Sequence, residues 1–422
     1  MSELSVGSVK LPQKRSARMG EKFAREAMFK VFGELTVGSL ALHEGPESYH
    51  FGELVEDGTP QAEVHIHSPA AYVAMVSGGS IGSAEAYIQE LWSSPSLLEV
   101  TKLFSANMRT LDSMESNRSW FVKLALSLGH RLQRNTSKGS RQNIAAHYDL
   151  GNEFFKLFLD SRMMYSSALF TGKQQTLESA ATAKLHEICV QLDLQADDHL
   201  LEIGTGWGGM AIYAAKEFGC KVTTTTISAE QYEYACAAVK REGLEEQITL
   251  LCDDYRDLKG SYDKLVSIEM IEAVGHEFYQ NYFECCSKLL KDDGIMVIQA
   301  ITVADQRYAQ AKDSVDFIQR YIFPGGCLPS VAVIAGHIAE DTDLQIVNLR
   351  DITQDYALTL AHWRERFMER LEEVQKMGFD QQFIRMWEFY LCYCEGGFSQ
   401  RVIGTVQLAM AKPDYRFKAV EA

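Results

Sequence analysis

The stretch Leu200-Leu-Glu-Ile-Gly-Thr-Gly-Trp-Gly-Gly-Met210 decides the fold of this chain. A short apolar run is followed by four glycines and then by a helical pattern. A strand that passes through glycines into the start of a helix lets the backbone approach a nucleotide closely. The spacing of Gly204, Gly206 and Gly209 satisfies G-x-G-x-x-G. Because that pattern also occurs in ordinary tight turns, the rest of the chain must identify the ligand.

Strand and helix patterns alternate around this turn. We predict strands over residues 200–203, 221–227, 248–252, 264–268 and 294–301, with helices between them. Such alternation is typical of a parallel, doubly wound α/β sheet. Mostly helical sequence from Tyr308 onward is expected to cover the site at the carboxyl ends of the strands.

The first third of the chain has a different pattern. Residues 1–30 are predicted to form a basic, partly helical lead-in. Strand patterns over 35–43, 48–52 and 62–67 precede helical patterns over 69–76, 84–91, 96–108 and 120–132, which predicts a small α+β domain over 31–133. The polar segment 134–143 is the predicted linker, and 144–422 form the larger domain. His65 and His67 share a strand face, but no third ligand is near in sequence, so we predict no metal site.

Composition narrows the class of protein. The 422 residues carry a net charge of −16, which argues against nucleic-acid binding because phosphate neutralisation needs clustered cations. No apolar run is long enough to span a membrane and the start lacks a signal-peptide pattern, so we expect a cytoplasmic protein. The nine cysteines lack paired C-x-x-C spacing and are expected to be reduced thiols. Two basic stretches, at 10–30 and 109–141, are either solubilising charge or a surface for anionic lipid headgroups.

The residues after the second and third strands favour S-adenosylmethionine over NAD. A dinucleotide site would place an acid about 20 residues past the glycines to hold the ribose. Here the second strand ends in Thr226-Ile-Ser-Ala-Glu-Gln231, where hydroxyls and an amide dominate. The third ends in Cys252-Asp-Asp-Tyr-Arg-Asp257, which offers an acid and an aromatic ring to an adenine. Together with Glu202 before the glycines, these residues predict a class I methyltransferase domain.

From about Gly78 to Met410 the chain resembles the cyclopropane fatty acid synthases and the related mycolic acid methyltransferases. The matching stretches are Gly79-Ser-Ile-Gly-Ser-Ala-Glu-Ala-Tyr-Ile88, His147-Tyr-Asp-Leu-Gly-Asn-Glu-Phe-Phe155, Met164-Tyr-Ser166, residues 201–209 and 226–231, Asp254-Tyr-Arg-Asp257, Ser267-Ile-Glu-Met-Ile-Glu-Ala-Val-Gly275, Arg320-Tyr-Ile-Phe-Pro-Gly-Gly-Cys-Leu-Pro-Ser330 and Asp355-Tyr-Ala-Leu-Thr-Leu-Ala-His-Trp363. The proline- and glycine-rich block at 321–329 is the most specific, because a methyltransferase fold alone would not supply it.

The resemblance implies methyl transfer from S-adenosylmethionine to the double bond of an unsaturated acyl chain, in the synthases' case within an intact membrane phospholipid. The alkene would attack the sulfonium methyl and leave a carbocation, and proton loss from the new methyl group would close a cyclopropane ring. The resemblance also implies a homodimer bound peripherally to the inner membrane face. The small N-terminal domain would assist dimerisation and docking to an anionic membrane surface.

Matching motifs also assign the site residues. The expected cofactor site comprises Tyr165, Ser166, Glu202, Gly204, Gly206, Gly208, Thr226, Ser228, Gln231, Tyr255 and Arg256. In the catalytic centre the resemblance places Glu272, Tyr356 and the Ile301 backbone carbonyl around a bicarbonate that serves as base. The alternatives are an ion pair for Glu272 and core packing for Tyr356. Cys394 matches a cysteine formerly favoured as catalytic, although no thiol nucleophile is needed and packing is the simpler role.

Three departures from the family pattern affect the chemistry. Ser167 stands where the family has cysteine, and Gln299 and Ala273 stand where it has histidines. Serine and glutamine can hydrogen-bond an oxyanion, but glutamine cannot accept a proton or carry charge. The sequence therefore leaves two questions undecided. One is whether bicarbonate binds, and the other is whether the product is a ring or a methylene or methyl branch. A small soluble acceptor and a non-catalytic lipid-binding protein are further alternatives.

Overall fold

The computed structural model describes residues 14–53, 58–115, 150–172 and 175–416. The chain forms two compact units, Met1–Glu115 and Ser116–Ala422. The predicted helix at 120–132 and linker at 134–143 lie outside the described residues, so the predicted domain boundary stays a prediction. Among the described residues, no helix combines the length and the apolar character needed to cross a bilayer.

The first unit packs helices against a four-stranded sheet. Its elements are α1 (Lys14–Gly33), β1 (Ser39–Glu44), β2 (Glu47–Gly52), β3 (Gln61–Ile66), α2 (Ala70–Ile88), β4 (Trp92–Ser93), α3 (Leu97–Ala106) and α4 (Met108–Glu115). The strand order is β2-β1-β3-β4, in which β1 and β3 are parallel. Two helices predicted separately form the single helix α2, which is kinked at Gly79.

Helix α1 belongs to the core of this unit rather than preceding it. Phe29 lies edge-on to Tyr49, and the Phe32 ring packs against Phe51. Arg25 forms an ion pair of 2.6 Å with Glu44. At least this cation of the first basic stretch is therefore structural. Most of the second basic stretch lies outside the described residues.

The second unit is built on a seven-stranded sheet. Its strands are β5 (His199–Ile203), β6 (Lys221–Thr225), β7 (Ile248–Leu251), β8 (Tyr262–Ile268), β9 (Leu290–Val303), β10 (Gln345–Asp351) and β11 (Ile403–Ala411), in the order β10-β11-β9-β8-β5-β6-β7. Strands β5 to β9 are parallel to their neighbours among themselves, as predicted. Strand β11 is antiparallel to both β9 and β10. The predicted doubly wound α/β sheet is confirmed.

Helices cover both faces of this sheet. They are α5 (Asn152–Phe155), α6 (Leu177–Gln191), α7 (Gly209–Phe218), α8 (Ala229–Glu242), α9 (Tyr279–Leu289), α10 (Asp305–Ala311), α11 (Phe317–Tyr321), α12 (Val331–Asp341), α13 (Thr353–Glu369), α14 (Leu371–Lys376) and α15 (Gln381–Ser399). Alternate strand residues enter two separate cores, with Leu200 packing against α6 and α7 and Leu201 packing against α9 and α12. This is the period-two alternation of a sheet that is buried on both sides.

Two elements differ from the sequence prediction. Strands β10 and β11 lie in the region predicted to be mostly helical. Seven of the nine residues of β11 are buried, and a mostly apolar run of that length does not distinguish a strand from a buried helix. The amphipathic sequence at 146–160 also predicts a helix, and within the described residues only the short helix α5 forms there.

Candidate active site at the carboxyl edge of the sheet

Gly204 and Gly206 shape the glycine turn (residues 204–209) that follows β5. Their φ angles are 103° and 53°, values that favour glycine. The amides of Gly204 and Thr205 each donate to the Thr225 carbonyl over 3.0 Å, which holds the turn over β6. A Cβ added to Gly206 would meet no heavy atom within 4 Å. The turn therefore has free space of the kind that a bound nucleotide fills.

Glu202 lies behind this turn with its carboxyl group buried. Its Oε2 accepts a hydrogen bond of 2.7 Å from Thr224 Oγ1, which lies 2.7 Å from Thr205 Oγ1. Burial raises the pKa of Glu202 to about 8. The structure thus connects Glu202 to the turn through two hydroxyls.

The predicted polar rim follows β6. The hydroxyl of Thr226 donates to Gln231 Oε1 over 3.0 Å. Ser228 caps helix α8, and its hydroxyl accepts from the Gln231 amide at 3.3 Å. Gly208, in the left-handed conformation, caps helix α7 on the other side of the turn. The structure therefore brings these predicted cofactor residues to one edge of the sheet.

Tyr255 and Arg256 follow β7 in a short 3-10 helix. The Tyr255 hydroxyl is buried and has no hydrogen-bond partner among the described residues. Arg256 makes two hydrogen bonds, of 2.8 and 2.6 Å, to the Asp254 carboxylate. A buried hydroxyl without a partner, at the same edge of the sheet as the glycine turn, fits an absent nucleoside, so these residues suit S-adenosylmethionine.

The segment 163–170 packs against the glycine turn. A Cβ added to Gly209 would lie 2.5 Å from Met164 Sδ. The Tyr165 hydroxyl is 2.9 Å from that of Tyr390. Four backbone amides of the segment donate to side-chain oxygens at 2.7 to 3.0 Å: Met164 to Asp160, Ser167 to Glu269, Ala168 to Thr359 and Phe170 to Asp355. These bonds fix the segment beside the expected cofactor.

The Glu269 carboxylate, just after β8, is the centre of a hydrogen-bond cluster. Its Oε1 accepts from the Ser167 backbone amide at 2.9 Å and from Gln299 Nε2 at 2.7 Å. Its Oε2 accepts from the Tyr356 hydroxyl at 2.7 Å. Three predicted catalytic residues thus meet on a residue to which the sequence analysis assigned no role. The available signal was a second glutamate three positions before Glu272. We call Glu269 and its three donors the Glu269 cluster.

Glu272 lies beside this cluster. Its Oε1 accepts from the Ile301 backbone amide at 2.5 Å, and its Oε2 is buried with no partner among the described residues. Burial and the nearby Glu269 raise the pKa of Glu272 to about 8. Glu272 therefore bonds to a backbone amide rather than to a cation, and it is mostly protonated at neutral pH. The contact from Ile301 to this carboxyl group is made by its backbone amide, whereas the resemblance assigned its backbone carbonyl to the bicarbonate.

A chain of amides orients Gln299. Gln407 on β11 donates from Nε2 to Gln299 Oε1 at 3.0 Å, and Gln191 donates to Gln407 Oε1 at 2.8 Å. Gln299 and Gln407 are both fully buried. Because the Gln299 carbonyl is occupied, its NH₂ group faces Glu269.

Lys184 is a fully buried cation next to the cluster. Its Nζ donates to Ser166 Oγ at 2.8 Å. Burial lowers the pKa of Lys184 to about 8, and the nearby Glu269, Asp160 and Glu202 favour its charged form. Lys184, which the sequence analysis missed, therefore offsets part of the negative charge at this edge of the sheet.

Neither the Ser167 hydroxyl nor the Cys394 thiol has the surroundings of a catalytic nucleophile. The Ser167 hydroxyl donates to the Ala168 carbonyl at 2.9 Å, so only the Ser167 backbone reaches Glu269. Burial raises the pKa of the Cys394 thiol well above its usual value. The thiol stays protonated at neutral pH and is a poor nucleophile. The packing interpretation of Cys394 is the one that its surroundings favour.

Aromatic rings lie beside the Glu269 cluster. The ring centroid of Tyr165 is 5.3 Å from Trp363 and 5.4 Å from Phe155. Tyr356 stacks on Phe398 with centroids 4.3 Å apart. Trp363, Phe155 and Phe398 are at most 2% exposed. Such rings keep water away and present faces that attract a cation.

In the first unit, the two histidines considered in the sequence do not share a cluster, and only His65 belongs to a group of ligand-type side chains. Ligand-type atoms of His43, Glu63 and His65 lie within 4.8 Å of one another. His67 instead contacts Ser93, with 2.6 Å between Nε2 and Oγ. Sequence spacing concealed this grouping because His43 comes from the neighbouring strand β1.

Comparison with known proteins identifies the family. Residues 135–408 match the family model described as mycolic acid cyclopropane synthetase. The chain belongs to this family. The resemblance noted from the sequence is thereby confirmed.

Curated relatives match over most of their length. The tuberculostearic acid methyltransferase UfaA1 of Mycobacterium tuberculosis is 36% identical over 373 residues, which are 86% of this chain and 87% of the relative. The cyclopropane-fatty-acyl-phospholipid synthase of Escherichia coli K12 is 34% identical over 358 residues, 84% and 89% of the two chains. The protein is an S-adenosylmethionine-dependent methyltransferase of the cyclopropane synthase type.

Solved structures agree with this assignment. The mycolic acid cyclopropane synthase CmaA1, solved with SAH and CTAB, has a TM-score of 0.60 and 27% identity, and the match covers 64% of this chain and 98% of that one. The cyclopropane synthase MmaA2 of Mycobacterium tuberculosis gives a TM-score of 0.61 over the same shares. The predicted class I methyltransferase fold is confirmed.

Proposed function

We propose that this enzyme transfers a methyl group from S-adenosylmethionine to the double bond of an unsaturated acyl chain in a membrane phospholipid and then closes a cyclopropane ring. The observation that carries the proposal is the Glu269 cluster, whose carboxylate belongs to the residue before Met270, the nearest neighbour of a Cβ on Gly204 in the glycine turn. Methylation of a carbon–carbon double bond leaves a cation that must lose a proton. A methyl-donor site flanked by a proton acceptor and aromatic rings supplies what that reaction needs.

The chain's own residues have distinct parts in this reaction. S-adenosylmethionine supplies an electrophilic methyl group. The glycine turn and the polar rim would hold its nucleoside and amino-acid portions. The buried ring of Trp363 and its neighbour Tyr165 would stabilise positive charge on the acyl chain through their faces. The same rings would exclude water, which would otherwise capture the cation as an alcohol.

The phospholipid substrate is supported by the relatives. The Escherichia coli relative is named for fatty-acyl phospholipid, and the CmaA1 structure contains CTAB. We further propose that the protein works as a homodimer at the inner face of the membrane, where the basic stretches would meet anionic headgroups. Vesicles of anionic and of zwitterionic lipid with the same acyl chains test the proposed contact with anionic headgroups. Turnover should be faster on the anionic vesicles at low salt.

Branching without ring closure is the second candidate. Gln299 replaces a histidine of the family pattern, and a relative that is 36% identical is named for tuberculostearic acid. If the cation lost a proton from a carbon of the acyl chain, the product would be a methyl-branched alkene. If a hydride first shifted from the methyl-bearing carbon to the cationic carbon, proton loss from the new methyl group would give a methylene branch. Both products keep a double bond.

One experiment separates these outcomes. Purified protein is incubated with labelled S-adenosylmethionine and vesicles of monounsaturated phospholipid. The acyl chains are then released, and their masses are measured by mass spectrometry before and after mild hydrogenation. A gain of one CH₂ that takes up no hydrogen indicates a ring. A product that still takes up hydrogen is a methylated alkene and overturns ring closure. Absence of label from lipid overturns both candidates.

A further inference from the structure

We propose that the Glu269 carboxylate is the proton acceptor for the methylated acyl cation, so that this enzyme works without bicarbonate. The inference rests on the proposed function, because it concerns the proton that follows methyl transfer to a double bond. It is carried by the three donors that converge on Glu269.

The residues expected to hold bicarbonate do not fit that ion. The Ser167 amide, the Gln299 amide group and the Tyr356 hydroxyl all donate to Glu269. The Ile301 amide donates to Glu272. A bicarbonate would have to displace an internal carboxylate from its donors and then sit between two carboxyl groups. The negative charge that Glu269 carries would repel the ion at such a distance. The chain itself supplies the carboxylate for these donors.

Glu269 is better placed to accept a proton than Glu272. Three hydrogen bonds stabilise the ionised form of Glu269, whereas Glu272 accepts one from a backbone amide. Because the pKa of Glu272 is raised to about 8, its carboxyl group already holds a proton at neutral pH. Burial raises the pKa of Glu269, and its three hydrogen-bond donors and the nearby Lys184 oppose that rise by favouring the ionised form.

The hydrogen bonds also identify the oxygen that takes the proton. Oε1 accepts two hydrogen bonds and Oε2 accepts one. A carboxylate oxygen has two lone pairs, so Oε2 keeps one free. In the proposed step a C–H bond of the new methyl group breaks, its electron pair closes the ring onto the cationic carbon, and the proton forms an O–H bond on Oε2. The positive charge that S-adenosylmethionine brought leaves with that proton.

The backbone holds Glu269 in an unfavourable conformation. Its φ of 49° lies in the left-handed region, which is unfavourable for a residue with a Cβ. The Glu269 amide donates to the Gln299 carbonyl over 2.7 Å. The next residue, Met270, lies 3.5 Å from where a Cβ on Gly204 would be. The strained residue therefore follows the strand end directly beside the glycine turn.

The test compares wild type, Glu269→Gln and Glu269→Gly in buffer purged of carbon dioxide. Glycine suits a positive φ, so Glu269→Gly should fold at least as well as wild type. Asp193→Gly is the matched control, because Asp193 also has φ 49° and lies before the amino end of β5, at the opposite edge of the sheet. Melting temperature and S-adenosylmethionine affinity are measured for each protein.

We expect wild type to be unaffected by removal of bicarbonate. Both Glu269 variants should lose at least about 100-fold in product formation while keeping S-adenosylmethionine affinity, as expected for loss of a proton acceptor. Added formate or bicarbonate should raise the activity of Glu269→Gly at least about 10-fold and should not raise that of Glu269→Gln. A purely structural role would give no such rescue. Asp193→Gly should keep wild-type activity.

Other results overturn the inference. Wild-type enzyme that stops in purged buffer and recovers with bicarbonate would show that an external ion is the acceptor. Glu269→Gln with wild-type turnover would show that Glu269 takes no proton. A branched product from wild type would overturn ring closure alone, since the purge and the Glu269 variants still identify the acceptor. No methylated lipid from wild type would overturn the proposed function as well.

Discussion

The hydroxyl of Tyr356 donates to Oε2 of Glu269 over 2.7 Å and thereby joins helix α13 to the end of strand β8. The Tyr356 ring is stacked on Phe398, which restricts its movement. The phenol thus fixes the carboxylate oxygen that we propose as the proton acceptor. Its contribution should appear in turnover rather than in cofactor binding.

Replacing Tyr356 by phenylalanine tests that contribution. We expect Tyr356→Phe to lower kcat by roughly 10- to 100-fold, since a hydrogen bond to a charged group is worth about 1.5–3 kcal/mol. The KM for S-adenosylmethionine should change by less than about 2-fold. Tyr262→Phe is the matched control, because the Tyr262 hydroxyl donates to the Lys259 carbonyl at the opposite end of β8. Equal kcat values for the two variants would contradict this role.

The raised pKa of Glu272 predicts how stability depends on pH. The folded protein keeps a proton on Glu272 up to about pH 8, whereas the unfolded chain releases it near the usual value of 4.5. The contribution of Glu272 to the free energy of unfolding is therefore full below about pH 4.5 and is lost as pH rises to about 8. Glutamine mimics the protonated form, so Glu272→Gln should gain stability relative to wild type over this range, by a few kcal/mol (about 1.4 per pKa unit).

Denaturant unfolding at about pH 5 and pH 8 measures that difference. The exposed residue Glu245 provides the control, and Glu245→Gln should track wild type at both values. A constant difference between Glu272→Gln and wild type would show that Glu272 is ionised in the folded protein.

The glycine turn should not tolerate a side chain at position 204. A φ of 103° is closed to alanine, so Gly204→Ala should cost about 1–3 kcal/mol and weaken S-adenosylmethionine binding by at least about 10-fold. Crowding is not the cause, since the nearest atoms would be 3.5 Å away on Met270. Gly336→Ala in α12 is the contrast: its Cβ would meet nothing within 4 Å, and stability should rise by about 0.5–1 kcal/mol. Calorimetric titration and thermal melts distinguish the two variants, and normal binding by Gly204→Ala would contradict the role of the turn.

Cys394 should be dispensable for chemistry. Its thiol has a raised pKa, and the proposed reaction uses no covalent intermediate. Cys394→Ala should therefore keep kcat within about 3-fold of wild type, with at most a modest loss of stability from the small cavity. A loss above about 100-fold with an unchanged melting temperature would reinstate a catalytic thiol.

The parts of the fold that follow from local signals were predicted from the sequence. The glycine turn and strands β5 to β9 depend on glycine conformation and on residues close in the chain. Strand β11 was not predicted, because its mostly apolar sequence fits a buried helix as well as a strand. The packing of helix α1, which carries most of the first basic stretch, against the small sheet was not predicted either, because Glu44, the ion-pair partner of Arg25, is distant in the sequence.

The role of Glu269 depends on distant contacts. Its three donors are 102, 30 and 87 positions away in the sequence. The family pattern singled out the positions of Ser167, Gln299 and Tyr356, but it related them to an external ion. Only their convergence in space shows that a side chain of the protein occupies their hydrogen bonds.

The position of strand β11 determines when the site can form during folding. It lies between β9 and β10, and it carries Gln407, whose amide orients Gln299 towards Glu269. The parallel strands that bear the glycine turn precede it in the chain and can pair without it. The glycine turn and the polar rim can therefore assemble early. The Glu269 cluster is completed only by the contact of Gln407 with Gln299, which joins residues far apart in the sequence. Proton-accepting ability should consequently be the last property that a folding molecule acquires.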